Sequence, residues 1–424
     1  MRHAHRLTLV ATAALLPAAA LAQAAQAQQK VTPPEAQAWI DLATYSGFGM
    51  GGIGGIAGGS GGGGGAMGML TGMLGNATGL NTNRFGHTKT GIGGRWMDVT
   101  LSVRRQPGLQ DATMNVPVGS GLAPVLKLQS PKNAPPAPST RVEDERDTEP
   151  QEMEKPKGKV SLYWGCGDEV RPGQPRTVDF ASALPQDLMQ IFNGRRATQR
   201  GTHSVVGRPI WPSEADTRMV PGNAQLAGEM GFAGTGVPES FRFQLPPAQD
   251  LMPPLDLQQQ SDGPGAATKL SWAALPGARG YFVAAMGAKK GEEAHMVIWT
   301  SSELPDSGFG LVDYQTNGSV DRWLKDKVLL APATTQCAVP RGVFNGEGGM
   351  LRAIAYGNEL NLVHPPRPTD PKVTWEQEWA VKVRLKSVTT AMLGTDMGGR
   401  RAAEKPAEDK KPSKLDILRG ILGK

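Results

Sequence analysis

Alternation of apolar and polar residues with a period of two dominates the chain from residue 84 onward. The clearest run alternates four apolar with three polar residues: Met97, Asp98, Val99, Thr100, Leu101, Ser102 and Val103. This period is typical of strands that bury one face. Similar runs at 160–164 and 241–245 predict a β-rich domain over 84–260. Residues 131–159, rich in Pro, Glu, Asp and Lys, predict a disordered excursion from that domain, and we expect the strands flanking it to pair with each other.

A second alternation, over residues 372–395, predicts one long strand. Its apolar positions are Val373, Trp375, Trp379, Val381, Val383 and Leu385. Charged residues stand between them and form a polar face, among them Lys382, Arg384 and Lys386. An unpaired strand of this length would expose a row of backbone donors and acceptors. We therefore predict that it completes the sheet of an earlier domain.

Helical signals interrupt the strand pattern at two places. Within residues 30–46, Thr32 and Glu35 have the spacing of a capping box, and this predicts a short helix. Residues 320–329 place apolar side chains on one helical face, which predicts a second helix with Ser319 as its N-cap.

Two further segments differ in composition from the rest. Residues 47–83 form a low-complexity tract, about half of it Gly, which we interpret as a flexible linker or as a membrane-associated glycine zipper. Residues 400–424 form a charged tether that leads into a short amphipathic helix. The apolar face of this helix comprises Leu415, Leu418, Ile421 and Leu422. We expect that face to dock on the protein itself, on a partner or, peripherally, on a membrane.

The segment 262–364 carries a recognisable motif. Leu270, Ser271 and Trp272 precede residues 276–283, which read Pro-Gly-Ala-Arg-Gly-Tyr-Phe-Val. This motif resembles the second and third strands of fibronectin type III domains, in which a core Trp faces a Tyr across the two sheets. The resemblance covers about a quarter of the chain and implies a β-sandwich. The predicted fold class is therefore mainly β, with one or two β-sandwich domains, a Gly-rich N-terminal tract and a short C-terminal amphipathic helix.

The first residues predict the cellular location of the protein. A basic start is followed by an apolar run from Leu7 to Leu21 and by an A-x-A-like site at 20–22. This combination indicates a secretory signal peptide over residues 1–22, too short to act as a membrane anchor. We expect an exported protein that resides in the periplasm, at the outer membrane or at the cell surface.

Charge and composition narrow the choice of partners. The formal net charge is +6 over 424 residues, and the aromatic residues do not interleave with the arginines as a base-stacking surface requires. Nucleic acid is therefore not expected as a partner. The spacing of His and Cys is unlike that of metal sites, so we predict neither a metal nor another cofactor.

The chain has two cysteines, Cys166 and Cys337. Disulfides persist in exported proteins, so the two residues are candidates for a bridge that closes a long loop. The alternative is a pair of buried thiols that pack as small apolar side chains.

Residues 58–62 read Gly-Gly-Ser-Gly-Gly and formally match G-x-S-x-G, but without a flanking strand and helix they do not form a nucleophile elbow. We find no HExxH, P-loop or EF-hand motif and predict no catalytic residues. The most suggestive local group comprises Trp164, Asp168 and Glu169. An aromatic ring can stack on a sugar, and carboxylates can accept hydrogen bonds from its hydroxyl groups. The alternative is a strand end with a core Trp and two solvated acids.

These features favour a non-catalytic exported envelope protein that binds or scaffolds another envelope component, either a protein or a glycan. One alternative is a membrane-associated assembly factor that uses the Gly-rich tract and the C-terminal helix. The other is a polysaccharide hydrolase that uses Asp168 and Glu169, since glycoside hydrolysis needs paired carboxyl groups.

Overall fold

A computed structural model of the protein describes residues 29–47, 83–90, 93–132, 158–183, 201–263, 265–289, 291–344 and 349–393. Four predicted segments therefore lie wholly or largely outside the described residues. They are the signal peptide, the Gly-rich tract after Gly47, the excursion between residues 133 and 157, and the C-terminal tether with its helix.

Strands make up 44% of the structure against 8% for helices, so the mainly β class is confirmed. The strands are β1 (Val31–Thr32), β2 (Ala36–Gly47), β3 (Gly94–Val103), β4 (Asp111–Asn115), β5 (Val125–Gln129), β6 (Lys159–Trp164), β7 (Arg176–Asp179), β8 (Ile210–Trp211), β9 (Gly228–Gly234), β10 (Arg242–Leu245), β11 (Leu257–Ser261), β12 (Thr268–Trp272), β13 (Gly280–Lys289), β14 (Glu292–Thr300), β15 (Gln336–Val339), β16 (Met350–Tyr356), β17 (Leu360–His364), β18 (Trp375–Glu376) and β19 (Trp379–Met392). The described helices are α1 (His87–Thr90) and α2 (Asn317–Lys325).

Most of these strands belong to one large sheet. Within the described residues it has fourteen strands, in the order β10-β9-β4-β5-β8-β3-β2-β19-β16-β13-β14-β6-β7, and β17 pairs with β19 beside this path. A small sheet contains β11, β12 and β15, while β1 and β18 form a two-stranded sheet. The centre of the large sheet is the parallel pair of β2 and β19, which runs from Ala36 beside Trp379 to Gly47 beside Thr390.

The two faces of the large sheet carry different side chains. One face holds the main apolar core, to which Ile40, Met97 and Val383 contribute. The small sheet packs on this face, where the rings of Trp272 and Tyr281 lie 5.5 Å apart. The opposite face holds a second apolar cluster, built by the large sheet, by α2 and by the connection before α2.

The helix predicted over residues 30–46 is wrong, because this segment forms β1 and β2. All of Ala36 to Tyr45 except the half-buried Gln37 is buried, since β2 has neighbouring strands on both sides and covered faces above and below. A continuous apolar run of this kind cannot be assigned to helix or strand by periodicity alone. The presumed capping residues have other partners: the Thr32 hydroxyl donates to the Trp375 carbonyl (3.1 Å), and Glu35 pairs with Arg105 (3.0 Å).

The predicted boundary near residue 260 does not divide the large sheet, whose hydrogen-bonded ladder passes from β3 through β2 and β19 to β13. The strands that flank the excursion do not pair with each other, contrary to our expectation. Instead, β5 pairs with β4 and β8, whereas β6 pairs with β7 and β14 at the other end of the sheet. The long strand predicted over 372–395 is split into β18 and β19 at Gln377 and Glu378.

The second predicted helix is present as α2, but it begins earlier than expected. Its N-cap is Thr316, whose hydroxyl oxygen accepts a hydrogen bond from the backbone N–H of Ser319 (3.1 Å). Val320 and Trp323 occupy its buried face, as the apolar spacing predicted. None of the described helices is long and apolar enough to cross a bilayer.

Candidate functional site

The predicted sugar-contact residues lie together at the end of β6, where Trp164 is half-buried and Asp168 and Glu169 are exposed. The ring of Trp164 packs against the apolar cluster that includes Val160 and Leu162. Glu169 forms an exposed ion pair with Arg341, whose backbone N–H also donates to the Asp168 carbonyl (2.9 Å). This geometry favours the alternative of a strand end with a packed Trp and solvated acids.

The sequence left open whether Cys166 and Cys337 pair. In the structure they are joined by a disulfide with an S–S distance of 2.09 Å. The bond ties the turn after β6 to β15, and therefore links the large sheet to the small one. The same turn is held by a backbone hydrogen bond from Gly167 to the Ala338 carbonyl (3.1 Å). Arg171 adds a hydrogen bond from its guanidinium to the Cys166 carbonyl (3.1 Å).

A Ser-His-Glu relay near the end of the large sheet resembles a hydrolytic triad in its distances. The Ser161 hydroxyl lies 2.8 Å from His295 Nε2, and Glu292 lies 3.0 Å from His295 Nδ1. However, Ser161 is 4% exposed and is also bonded to Thr177. Because β6 pairs with strands on both sides, its backbone N–H groups are used in the sheet and are not free to form an oxyanion hole. The relay therefore satisfies both ring nitrogens of the buried His295, with Ser161 on the buried side and Glu292 on the exposed side.

A more unusual site lies at the centre of the large sheet, on the face opposite the main core. Five charged side chains meet there, and we call them the buried ionic cluster: Asp41 on β2, Asp98 on β3, Arg384 and Lys386 on β19, and Asp313 before α2. Strand register brings them together, because Asp98 stands opposite Asp41 and Asp41 stands beside Arg384. The four strand residues are each at most 2% exposed.

Oppositely charged groups pair closely within the cluster. The Arg384 guanidinium donates two hydrogen bonds to the Asp41 carboxylate, both 2.6 Å long, in a bidentate arrangement. Lys386 donates to Asp313 at 2.9 Å. The ring of Tyr314 lies 4.4 Å from Arg384 Cζ and 4.3 Å from Lys386 Nζ, so it adds cation–π contacts to both.

The two facing aspartates differ in protonation. Burial opposes ionisation of Asp41, but Arg384 and a hydrogen bond from the Thr202 hydroxyl (2.6 Å) lower the pKa of this carboxyl below its usual value. Asp98 instead accepts hydrogen bonds from the Thr88 hydroxyl and the Gly86 N–H. Burial, with a contribution from Asp41, raises the pKa of Asp98 to about 7. Asp41 is therefore ionised, whereas Asp98 changes its protonation near neutral pH.

The sequence-based predictions missed this cluster for a physical reason. Asp98, Arg384 and Lys386 were assigned to the polar faces of amphipathic strands, and such faces are commonly solvated. Here that face is covered by residues 83–90, by residues 201–203 and by the segment around α2. The available signal was Asp41, the single charge in the run of residues 36–45.

The described surface also contains a groove of about 740 Å³ near one side of the cluster. Its lining combines hydroxyl and amide side chains with one aromatic ring, and includes Phe85, Gln110, Gln129, Ser130, Ser213 and Thr217. It also carries four charged residues, Arg84, Asp111, Lys132 and Glu214. Its volume falls within the roughly 300–1,000 Å³ of small-molecule sites. Within the parts of the chain that the structure describes, His, Cys, Asp and Glu do not gather into a group that could hold a metal ion.

Comparison of the sequence with models of known protein families and with curated proteins finds no match.

Proposed function

We propose that the protein is a non-catalytic exported envelope protein that binds a glycan of the envelope in the polar groove. The observation that carries this proposal is the lining of the groove. Its hydroxyl and amide groups can exchange hydrogen bonds with sugar hydroxyls, and Phe85 offers a ring face for stacking. Glu214 in the lining is paired with Lys132 (2.8 Å), which supports a role in binding over one as a free catalytic carboxylate.

Export is supported by two independent features. The first residues have the pattern of a signal peptide. The Cys166–Cys337 disulfide closes a loop across 171 positions of sequence, and such bonds persist in oxidising compartments. Fractionation of the producing cell should place the mature protein outside the cytosol. Recovery of a reduced, unprocessed chain from the cytosol would contradict export.

We propose further that β11 to β16 form a fibronectin type III-like sandwich. The first, second and fifth of these strands form the small sheet, and the third, fourth and sixth lie in the large sheet. Immunoglobulin-like sandwiches divide their strands between two sheets in a comparable way. The contact of Trp272 with Tyr281 across the sheets supports the same assignment.

Binding is tested with the full-length mature protein and a panel of envelope and extracellular glycan fragments, by calorimetry. Phe85→Ala and Gln129→Ala should each weaken binding about fivefold, since one stacking or hydrogen-bond contact contributes about 1 kcal/mol. Gln258→Ala, an exposed change on β11, is the matched control and should bind like the wild type. An absence of binding across the panel, or equal weakening by the control, would overturn the proposed function.

A further inference from the structure

Residues 83–90 cross the large sheet over the buried ionic cluster, and we call them the strap. The strap is attached at both ends. Asn83 donates from its backbone to the Thr217 carbonyl (3.1 Å) and from its side chain to the Arg218 carbonyl (2.8 Å). Near the other end, Lys89 Nζ donates to the Thr202 carbonyl (3.1 Å). Three strap residues, at 83–85, also form one wall of the polar groove.

The middle of the strap is held by Asp98. The Gly86 N–H donates to one carboxyl oxygen of Asp98 (3.0 Å), and the Thr88 hydroxyl is bonded to the other. Two further contacts hold this part of the strap. The His87 ring packs edge-on against the Trp96 ring, with ring centroids 4.5 Å apart. The Tyr45 hydroxyl donates to the Thr88 carbonyl (2.9 Å). Asp98 is 1% exposed, and the strap contributes to its enclosure.

Charged groups face Asp98 from each element packed around it. Asp41 faces it from β2 and Lys89 from the strap. Beyond Asp41 lie Arg384 on β19, which binds it, and His203 from the segment after residue 200. Burial lowers the pKa of His203 to about 4, so this ring is uncharged at neutral pH. Asp98, by contrast, changes its charge close to neutral pH, because burial raises its pKa to about 7.

We propose that Asp98 makes attachment of the strap pH-dependent: the strap is docked while Asp98 is protonated, and it is released when Asp98 ionises. A protonated carboxyl can still accept from Gly86 and can donate to the Thr88 hydroxyl oxygen, so it satisfies the docked strap without a buried charge. An ionised carboxyl beside Asp41 regains water when the strap leaves. Release removes one wall of the groove.

The sign follows from proton linkage. Burial, the largest cause, raises the pKa of docked Asp98 from 3.8 to about 7. Because the pKa of Asp98 is higher in the docked state, protonation of Asp98 stabilises docking. This stabilisation is complete below the pKa of undocked Asp98, decreases as the pH rises, and is lost once the pH passes about 7. His87 acts in the opposite sense, because burial and Arg84 lower its pKa and its protonation in acid disfavours docking. The Asp98→Asn variant keeps His87 and therefore separates the contribution of Asp98 from that of His87.

The test is hydrogen exchange of the full-length mature protein at pH 5.5, 6.5 and 7.5, with exchange times scaled to the intrinsic rate. Protection of residues 83–90 should fall by up to about tenfold per pH unit as the pH rises toward 7 and should level off above it, while β2 keeps its protection. Asp98→Asn, neutral and of equal shape, should keep the strap protected at all three values. Asp262→Asn, an exposed control in the turn after β11, should retain the wild-type pH dependence.

Thr88→Val provides a second variant that leaves Asp98 in place. Loss of the hydroxyl removes a hydrogen bond that the docked strap makes with the Asp98 carboxyl, so docking weakens and the midpoint of strap release should move to lower pH. Constant protection in the wild type from pH 5.5 to 7.5 would overturn the proposal. So would an unchanged pH dependence in Asp98→Asn, or in Thr88→Val if Asp98→Asn does not fold. These readouts need no ligand and are independent of the proposed glycan binding.

Discussion

Arg384 shows how strongly the location of a residue changes the meaning of its charge. Among the alternating residues of β19 it has the same sequence context as the half-buried Lys382, yet it is 2% exposed and binds Asp41 with two hydrogen bonds. A buried ion pair contributes little net stability when both partners are present, since each charge loses its hydration. Removal of one partner is costly, because the other charge is then buried alone.

Arg384→Met should therefore destabilise the protein by about 3–5 kcal/mol, measured as the free energy of unfolding in urea. Adding Asp41→Asn should recover part of the loss, because Asn removes the isolated charge and keeps an acceptor for Thr202. Arg242→Met, at an exposed ion pair with Glu229, is the control and should cause no measurable change. A loss in Arg384→Met as small as that of the control would show that the buried pair is dispensable.

At the level of elements, β2 and the turn after β6 illustrate how partners determine structure. The run 36–47 has the composition of a helix or of a buried strand, and its neighbours β3 and β19 make it a strand. The turn after β6 is attached to β15 by the Cys166–Cys337 disulfide, so the two sheets are joined covalently at one end.

Replacement of both cysteines by Ala should lower the free energy of unfolding by about 2–5 kcal/mol, as expected for a bond that closes a long loop in the unfolded chain. The midpoint of urea unfolding reports this loss. Wild-type protein in dithiothreitol should shift in the same direction, and a thiol assay should detect two thiols only after reduction. Equal stability of the oxidised protein and the double variant would contradict a structural role for the bond.

At the level of the whole molecule, the large sheet joins the beginning, middle and end of the chain. The β2–β19 pair connects residues more than 340 positions apart, and one apolar core extends over strands from both halves. Such continuity favours a cooperative transition, because neither half can separate without breaking the central ladder.

We therefore expect one calorimetric unfolding transition, with a calorimetric enthalpy equal to the van't Hoff enthalpy. Tryptophan fluorescence and far-ultraviolet circular dichroism should give the same midpoint. Two resolved transitions would instead support the separate domains that the sequence suggested on either side of residue 260.

The sequence by itself determined the features that depend on neighbouring residues. Period-two alternation identified β3 and most of β19, apolar spacing identified the buried face of α2, and the motif around Trp272 and Tyr281 indicated two facing sheets. These signals are local because the side-chain repeat of a strand or helix is set by its own backbone geometry.

Three features were decided by the tertiary structure alone. They are the order of the strands in the sheet, the strand conformation of β2, and the burial of the polar face of β3 and β19 under other segments. Alternation shows that a strand has a polar face, but it does not show whether another segment lies over that face. For Asp98 the covering residues are ten and twelve positions away, whereas Asp41 meets Arg384 across 343 positions. Burial of these charges, and with it the pH response that we propose, results from long-range packing that no local repeat encodes.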